Sequence, residues 1–221
     1  MDITSYLLGK KAGGGGSGGL DWSAIGYNET PDSIITEYEY ATKIKNEWVP
    51  ATSLYQKFQY DSNLIIMPLV DTSIATEAHY MFFNCKFLRE IPLLDISNLT
   101  LASDMFDGCE NLYKIPQLDT SKVANFQAMF KKCYKLHDVP VLNMSSLVHY
   151  KGTLDMFYGC QALSDESLDN ILKSCITANP DWTGTKTLGY MGISSTYYPA
   201  SKIQALPSYD DFINAGWTIG Y

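Results

Sequence analysis

Nowhere does this chain hold about 18 uninterrupted apolar residues, the length a membrane-crossing helix requires, so no membrane insertion is expected. Its start, MDITSYLLGKK, puts an acid before a very short apolar patch and lacks the form of a secretory signal, which predicts a product made in the cytoplasm. Basic charge is scarce: 16 Lys and Arg stand against 24 Asp and Glu, for a net charge of −8. A nucleic-acid backbone would repel such a protein as a whole, so nucleic acid is excluded as its main partner. Catalytic signatures are missing as well. Only three histidines occur, His79, His137 and His149, and neither G-x-S-x-G nor H-E-x-x-H accompanies them. The glycine run formally contains G-x-G-x-x-G at Gly13, Gly15 and Gly18, but no strand precedes it, and GTKT from Gly184 lacks the Gly-Lys order of a phosphate loop. No enzyme activity, metal or cofactor is expected. The five cysteines are odd in number and form no C-x-x-C pair, so they read neither as a disulfide framework nor as a redox couple.

What the chain does have is repetition. MFFNCKFLREIPLLDIS from Met81, MFDGCENLYKIPQLDTS from Met105, MFKKCYKLHDVPVLNMS from Met129 and MFYGCQAL from Met156 align, with steps of 24, 24 and 27 residues. The same phase places Pro68, Phe58 and Leu64 in a degenerate first repeat that starts near Lys57. A unit this short cannot bury its own apolar side chains, but stacked copies bury them against one another. The L-x-x-I-P pieces at 88–92, 112–116 and 136–140 are expected to form one parallel sheet. The Asp-x-Ser or Asn-x-Ser pieces, at Asp95, Asp119 and Asn143, are expected to open a turn that leads into a short helical return ending near Met-Phe.

The pattern MFxxCxxLxxIPxLDTSxV resembles the BspA-like leucine-rich repeats of bacterial surface proteins. The resemblance implies a curved scaffold for recognition, usually without catalysis. The expected fold class is therefore α/β: a leucine-rich-repeat solenoid of about five 24–27-residue coils with a parallel sheet, a helical N-terminal cap and an α/β C-terminal cap. The organisation reads as a docking peptide (1–11), a Gly-rich flexible linker (12–19), a helical cap (20–56), the repeats (57–163) and a C-terminal cap (164–221). In the first cap, Thr30 is the expected helix start, and Ile34, Tyr38, Ala41, Ile44 and Trp48 share a stripe. In the last, Leu168, Ile171, Leu172, Cys175 and Ile176 do the same. A strand near residues 187–191, a helix near Ser201, a helix opened by a Ser208–Asp211 capping box and a closing strand in WTIGY complete the C-terminal cap.

The stacked cysteines Cys85, Cys109, Cys133 and Cys160 would lie in a row. A tetrahedral zinc site needs convergence, so they are expected to be buried free thiols. If Leu88 and Ile91 point inward, Arg89, Glu90, Tyr113, Lys114, His137 and Asp138 form an outward patch suited to protein or to sugar. Ile3, Tyr6, Leu7 and Leu8, with Lys10 and Lys11 as salt-bridge donors, are the expected anchors of a peptide held on the glycine tether. The chain ends SYLLGKK and AGWTIGY resemble those of tail-associated or other virion proteins of phages and prophages of gut Firmicutes. That implies a virion partner for the peptide and a host surface protein or glycan for the repeats, with self-association left open. The alternative location is the bacterial cell surface, as an adhesin.

Overall fold

The computed structural model describes residues 31–147, 149–178 and 186–220. The chain divides into two units, Met1–Ile35 and Thr36–Tyr221, and the repeats lie in the second. At the centre of this second unit is a stack of coils whose backbones bond to each other one repeat apart. Phe58, Phe82 and Phe106 donate their N–H groups to the carbonyls of Met81, Met105 and Met129, each at 2.9 Å. A few residues earlier in each coil, Thr76 N–H reaches Thr52 O at 2.8 Å and Thr100 N–H reaches Thr76 O at 2.9 Å.

The expected α/β class and its parallel sheet do not form. Among the described residues there is no strand, only isolated parallel bridges such as Ile66 to Glu90, Glu90 to Lys114 and Lys114 to Asp138. This overturns the leucine-rich-repeat solenoid expected from the sequence, and the backbone donors explain why. A parallel ladder needs an N–H from every second residue. Just ahead of each bridge, the N–H of Leu88, Leu112 or Leu136 is committed to a turn, donating to Cys85, Cys109 or Cys133 O at 3.1 Å. Just beyond it, the next donor would be Pro92, Pro116 or Pro140, which has no N–H. On this side each coil can therefore carry one rung and no more; a second column of isolated bridges joins Ser53 to Glu77, Glu77 to Leu101 and Leu101 to Asn125.

The helical return is absent for a different reason. The Met-Phe segment is a run of tight turns: Met81 N–H bonds Ala78 O at 3.2 Å, Phe83 N–H bonds Tyr80 O at 3.1 Å, and Cys85 N–H bonds Phe82 O at 3.0 Å. Tyr80 and Asn84 both lie in the left-handed region, each with φ 57°. A left-handed residue every fourth position interrupts any helix. The same two columns recur as Asp104 with Gly108, Ala128 with Lys132, and Asp155 with Gly159.

Inside the stack the fixed aromatic of each repeat forms a continuous pile. Phe58, Phe82, Phe106, Phe130 and Phe157 succeed one another at centroid distances of 5.6, 5.2, 5.7 and 5.5 Å, with planes within 15° of parallel. Alongside it the thiols of Cys85, Cys109, Cys133 and Cys160 donate to the carbonyls of Phe58, Phe82, Phe106 and Phe130, at 2.9 Å for the first and 3.1 Å for the others. At the outer turns Asp71, Asp95, Asp119 and Asn143 accept the N–H two residues on, at 2.9–3.0 Å. The hydroxyls of Ser73, Ser97 and Ser121 and, second to them, these N–H groups hold the three carboxyls below the usual aspartate range.

Four α-helices and one 3-10 turn, Tyr150–Thr153, complete the regular structure of the described residues. Helix α1, Pro31–Glu47, buries Ala41 and Ile44; the expected start at Thr30 lies outside the described residues. Past its end, Trp48 stacks on Phe58 at 6.2 Å and donates from Nε1 to Asp71 O at 2.7 Å. Tyr40 donates to Asp61 at 2.6 Å. Asp61 occupies the cysteine column of the first coil, where no earlier coil offers a carbonyl for a thiol.

Helix α2, Asp165–Ile176, closes the other end, with Ser164 capping Ser167 N–H. Helices α3, Ala200–Gln204, and α4, Tyr209–Asn214, fall where the sequence places them, but Ser208 makes no side-chain cap and donates its N–H to Asp169 at 2.8 Å instead. The expected strands near 187–191 and in WTIGY reduce to a single bridge, Thr187 to Thr218. The first of these segments is a turn that serves the fifth coil: Tyr190 and Met191 accept the N–H groups of Asp155 and Phe157 at 2.8 and 2.7 Å. Gly192, at φ 81°, comes next, and a Cβ there would lie 2.6 Å from Tyr158 N.

Candidate functional site

The row anticipated from the repeat is brought together on one side of the stack. Arg89 N–H donates to Ile65 O and Tyr113 N–H to Arg89 O at 2.9 Å, and His137 N–H donates to Tyr113 O at 2.8 Å, which sets these side chains one coil apart. Leu88, Leu112 and Leu136 are fully buried, and Ile91 and Ile115 nearly so. The two residues between these inward anchors must therefore face out. The Tyr113 and His137 rings lie flat on each other, 5.2 Å apart and 4° from parallel.

The charges of this row find partners within it and on α1. Lys114 Nζ meets Glu90 at 3.1 Å, His137 Nδ1 meets Asp138 at 2.6 Å, and Arg89 Nη1 lies 3.7 Å from Glu37 on α1. Glu37 is buried, and that burial raises its pKa. The exposed Lys114–Glu90 pair contributes only about 0–1 kcal/mol. The effect of these charges is chemical: the face offers a two-ring platform bordered by the Lys114–Glu90 ion pair and the His137–Asp138 contact. At Asp138 it opens on a groove of about 420 Å³ between the fourth coil and α2, lined by Gln117, Asp138, Pro140, Glu166 and Asn170.

The opposite border of that groove was not legible from repeat spacing. Ser167 Oγ accepts Val139 N–H and donates to His137 O, at 2.8 and 2.7 Å. Ser174 Oγ accepts Leu142 N–H and Thr177 Oγ1 accepts Met144 N–H, both at 2.8 Å, while Asn170 donates to Val139 O at 3.0 Å. One polar helical face thus takes up the backbone edge that a further coil would otherwise cover. Its signal in the sequence is a polar residue at 167, 170, 174 and 177, a helical spacing opposite the apolar stripe.

The cysteine ladder is internal to the scaffold. Each sulfur bonds a carbonyl of the preceding coil, and no group of three or more His, Cys, Asp or Glu among the described residues is arranged to hold a metal. Burial pushes the Cys85 thiol up to about 12 and those of Cys109 and Cys133 well above the ordinary value. The proposed anchors Ile3, Tyr6, Leu7, Leu8, Lys10 and Lys11 lie outside the described residues. No described helix is long and apolar enough to cross a membrane.

These features define a repeat protein whose inward positions are fixed and whose outward positions vary from coil to coil. The chain belongs to the family described as "Mycoplasma protein of unknown function, DUF285", whose sequence model matches residues 52–171. No curated protein and no solved structure matches it.

Proposed function

We propose that the protein is a non-enzymatic recognition or structural component. Its coil stack presents a variable face to a host surface protein or glycan, and the peptide of residues 1–11 docks it to a carrier. The observation that carries this reading is the contrast between columns of the same stack. The inward column is Phe in all five coils, whereas the outward column changes from Arg89 to Tyr113 to His137 at constant backbone spacing. A scaffold held constant under changing side chains suits binding. Paired charges around a stacked Tyr–His platform suit a partner without strong charge.

The carrier in this proposal is a phage or prophage particle, and the support is the resemblance of the chain ends to virion proteins. The Met-Phe-x-x-Cys repeat, with its likeness to BspA-like surface proteins, favours a second reading as a bacterial cell-surface adhesin. The two readings part on one experiment. A chain lacking residues 1–19 should still fold and should fail to join the particle; normal incorporation would overturn the docking role. For the face, Arg89→Ala, Tyr113→Ala and His137→Ala should each weaken attachment of the labelled protein to host cells, read by cytometry. Unchanged attachment in all three would remove the face from the proposal.

A further inference from the structure

A second surface, on the turn side of the first two coils, gathers five aromatic rings. Tyr55 meets His79 and Tyr80 edge-on, with centroids 5.7 and 6.2 Å apart and planes at 81° in both pairs. Tyr80 and Tyr60 each meet Phe83 edge-on, at 5.3 Å and 73° and at 5.4 Å and 83°. Tyr55 is 50% exposed and Tyr60 64% exposed, so these rings do not serve the core.

The polar groups beneath them are held in place. His79 sits between Ser103 Oγ at 3.2 Å and Glu77 Oε1 at 2.7 Å, and the other Glu77 oxygen accepts Ser53 Oγ at 3.0 Å. The Asp104 carboxylate near the Tyr80 hydroxyl raises that hydroxyl's pKa. The result is a preorganised set of ring faces and carboxylate acceptors that does not have to be ordered on binding.

An independent observation comes from the backbone. Tyr60 and Tyr80 lie at φ 61° and 57°. The left-handed region is costly for a bulky residue. The corresponding turns of other coils use Gly108 and Gly159, or Asn84, Asp104 and Asp155, together with Gln56, Ala128 and Lys132, and never an aromatic ring. For Tyr60, burial does not offset the cost, since most of the side chain is in water. Two aromatic rings are thus kept on this surface against local backbone preference.

We infer that this patch binds a neutral carbohydrate, one or two hexose rings of a surface glycan. Ring faces take the apolar face of a sugar, and the carboxylates of Glu77 and Asp104 accept its hydroxyls. Those carboxylates and the net charge of −8 disfavour sialylated, sulfated or phosphorylated ligands. A protein partner needs about 800 Å² on each side. The rings span one step of the stack, 5.6 Å, and Asp104 lies one further step away, 5.2 Å, a size suited to a small ligand. The inference rests on the proposed recognition role and gives it a ligand class and a second location.

The test applies the full chain to an array of neutral hexose and N-acetylhexosamine oligosaccharides beside sialylated and sulfated ones, with calorimetric titration of the neutral ligands retained. Tyr55→Ala and Tyr60→Asn, the latter chosen because asparagine tolerates the left-handed backbone, should each weaken neutral binding about tenfold, a loss of about 1.4 kcal/mol. Tyr55→Phe, which keeps the ring, should retain binding, and Tyr197→Ala, an exposed ring outside both faces, should bind as the unaltered chain does. Thermal midpoints separate lost binding from lost folding. Retention of acidic glycans alone, retention of none, or undiminished binding by both ring-removing variants would overturn the site. Attachment of those two variants to host cells at the unaltered level would also overturn it, while leaving the recognition role in place.

Discussion

Cys109 donates to Phe82 O at 3.1 Å and is fully buried, so its thiolate would have to form without water. At pH 8 all five buried thiols should resist an aromatic disulfide reagent in the folded protein and react once urea unfolds it. Fast labelling in the native state would contradict the burial. Cys109→Ser shortens the donor arm and buries a hydroxyl, which should cost about 1–3 kcal/mol in urea unfolding. Asp107 makes the opposite kind of demand. Burial, with Asp104 and Asp155 adding repulsion against the relief from Lys132 and Lys131, pushes it up to about 6. Its unfolded value is near 3.9. Between about pH 4 and 6 the folded state therefore holds the extra proton, and stability falls as pH rises through that window. Asp107→Asn should flatten that part of the pH profile and raise the urea midpoint at pH 7.

Helix α2 shows how an element acts beyond its apolar stripe. Ser174 accepts Leu142 N–H at 2.8 Å and bonds Asn170 O at 2.6 Å. Replacing it by alanine leaves a buried donor without an acceptor, so Ser174→Ala should cost about 1–3 kcal/mol and speed exchange of the Leu142 amide. An unchanged exchange rate would show that the edge is satisfied in another way. The apolar face of this helix was legible from spacing: Leu168, Ile171, Leu172 and Cys175 are buried, whereas Ile176, expected on the same stripe at the helix end, is exposed. Its polar face was not, because which hydroxyls meet a backbone edge depends on where the helix lands. The same limit hid the turn at 188–192. Its β-like composition reads as strand, yet its carbonyls complete the fifth coil.

Across the whole stack, each coil's aromatic ring is shared by the neighbouring coils on both sides. Phe106 lies 5.2 Å from Phe82 and 5.7 Å from Phe130, so Phe106→Ala opens a gap in a continuous pile. A cost of about 3–5 kcal/mol is expected, with circular dichroism and tyrosine fluorescence still reporting one transition. Nearest-neighbour coupling of this kind also makes the ends matter. A chain ending at residue 163 loses the hydroxyls that meet Val139, Leu142 and Met144, and the carbonyls that meet Asp155 and Phe157. It should aggregate on expression, as judged by gel filtration.

The sequence by itself determined the 24-residue period, the inward cysteines and phenylalanines, and the outward pairing of Arg89 with Glu90, Tyr113 with Lys114 and His137 with Asp138. Those are properties of spacing, and stacking equivalent units preserves spacing. Only the tertiary structure decided that the coils carry isolated bridges rather than a sheet. The prolines were visible, but the commitment of Leu88, Leu112 and Leu136 N–H groups to turns was not. It likewise decided that Tyr55, Tyr60, His79, Tyr80 and Phe83 meet on one surface, because they occupy different columns that the left-handed turns fold together.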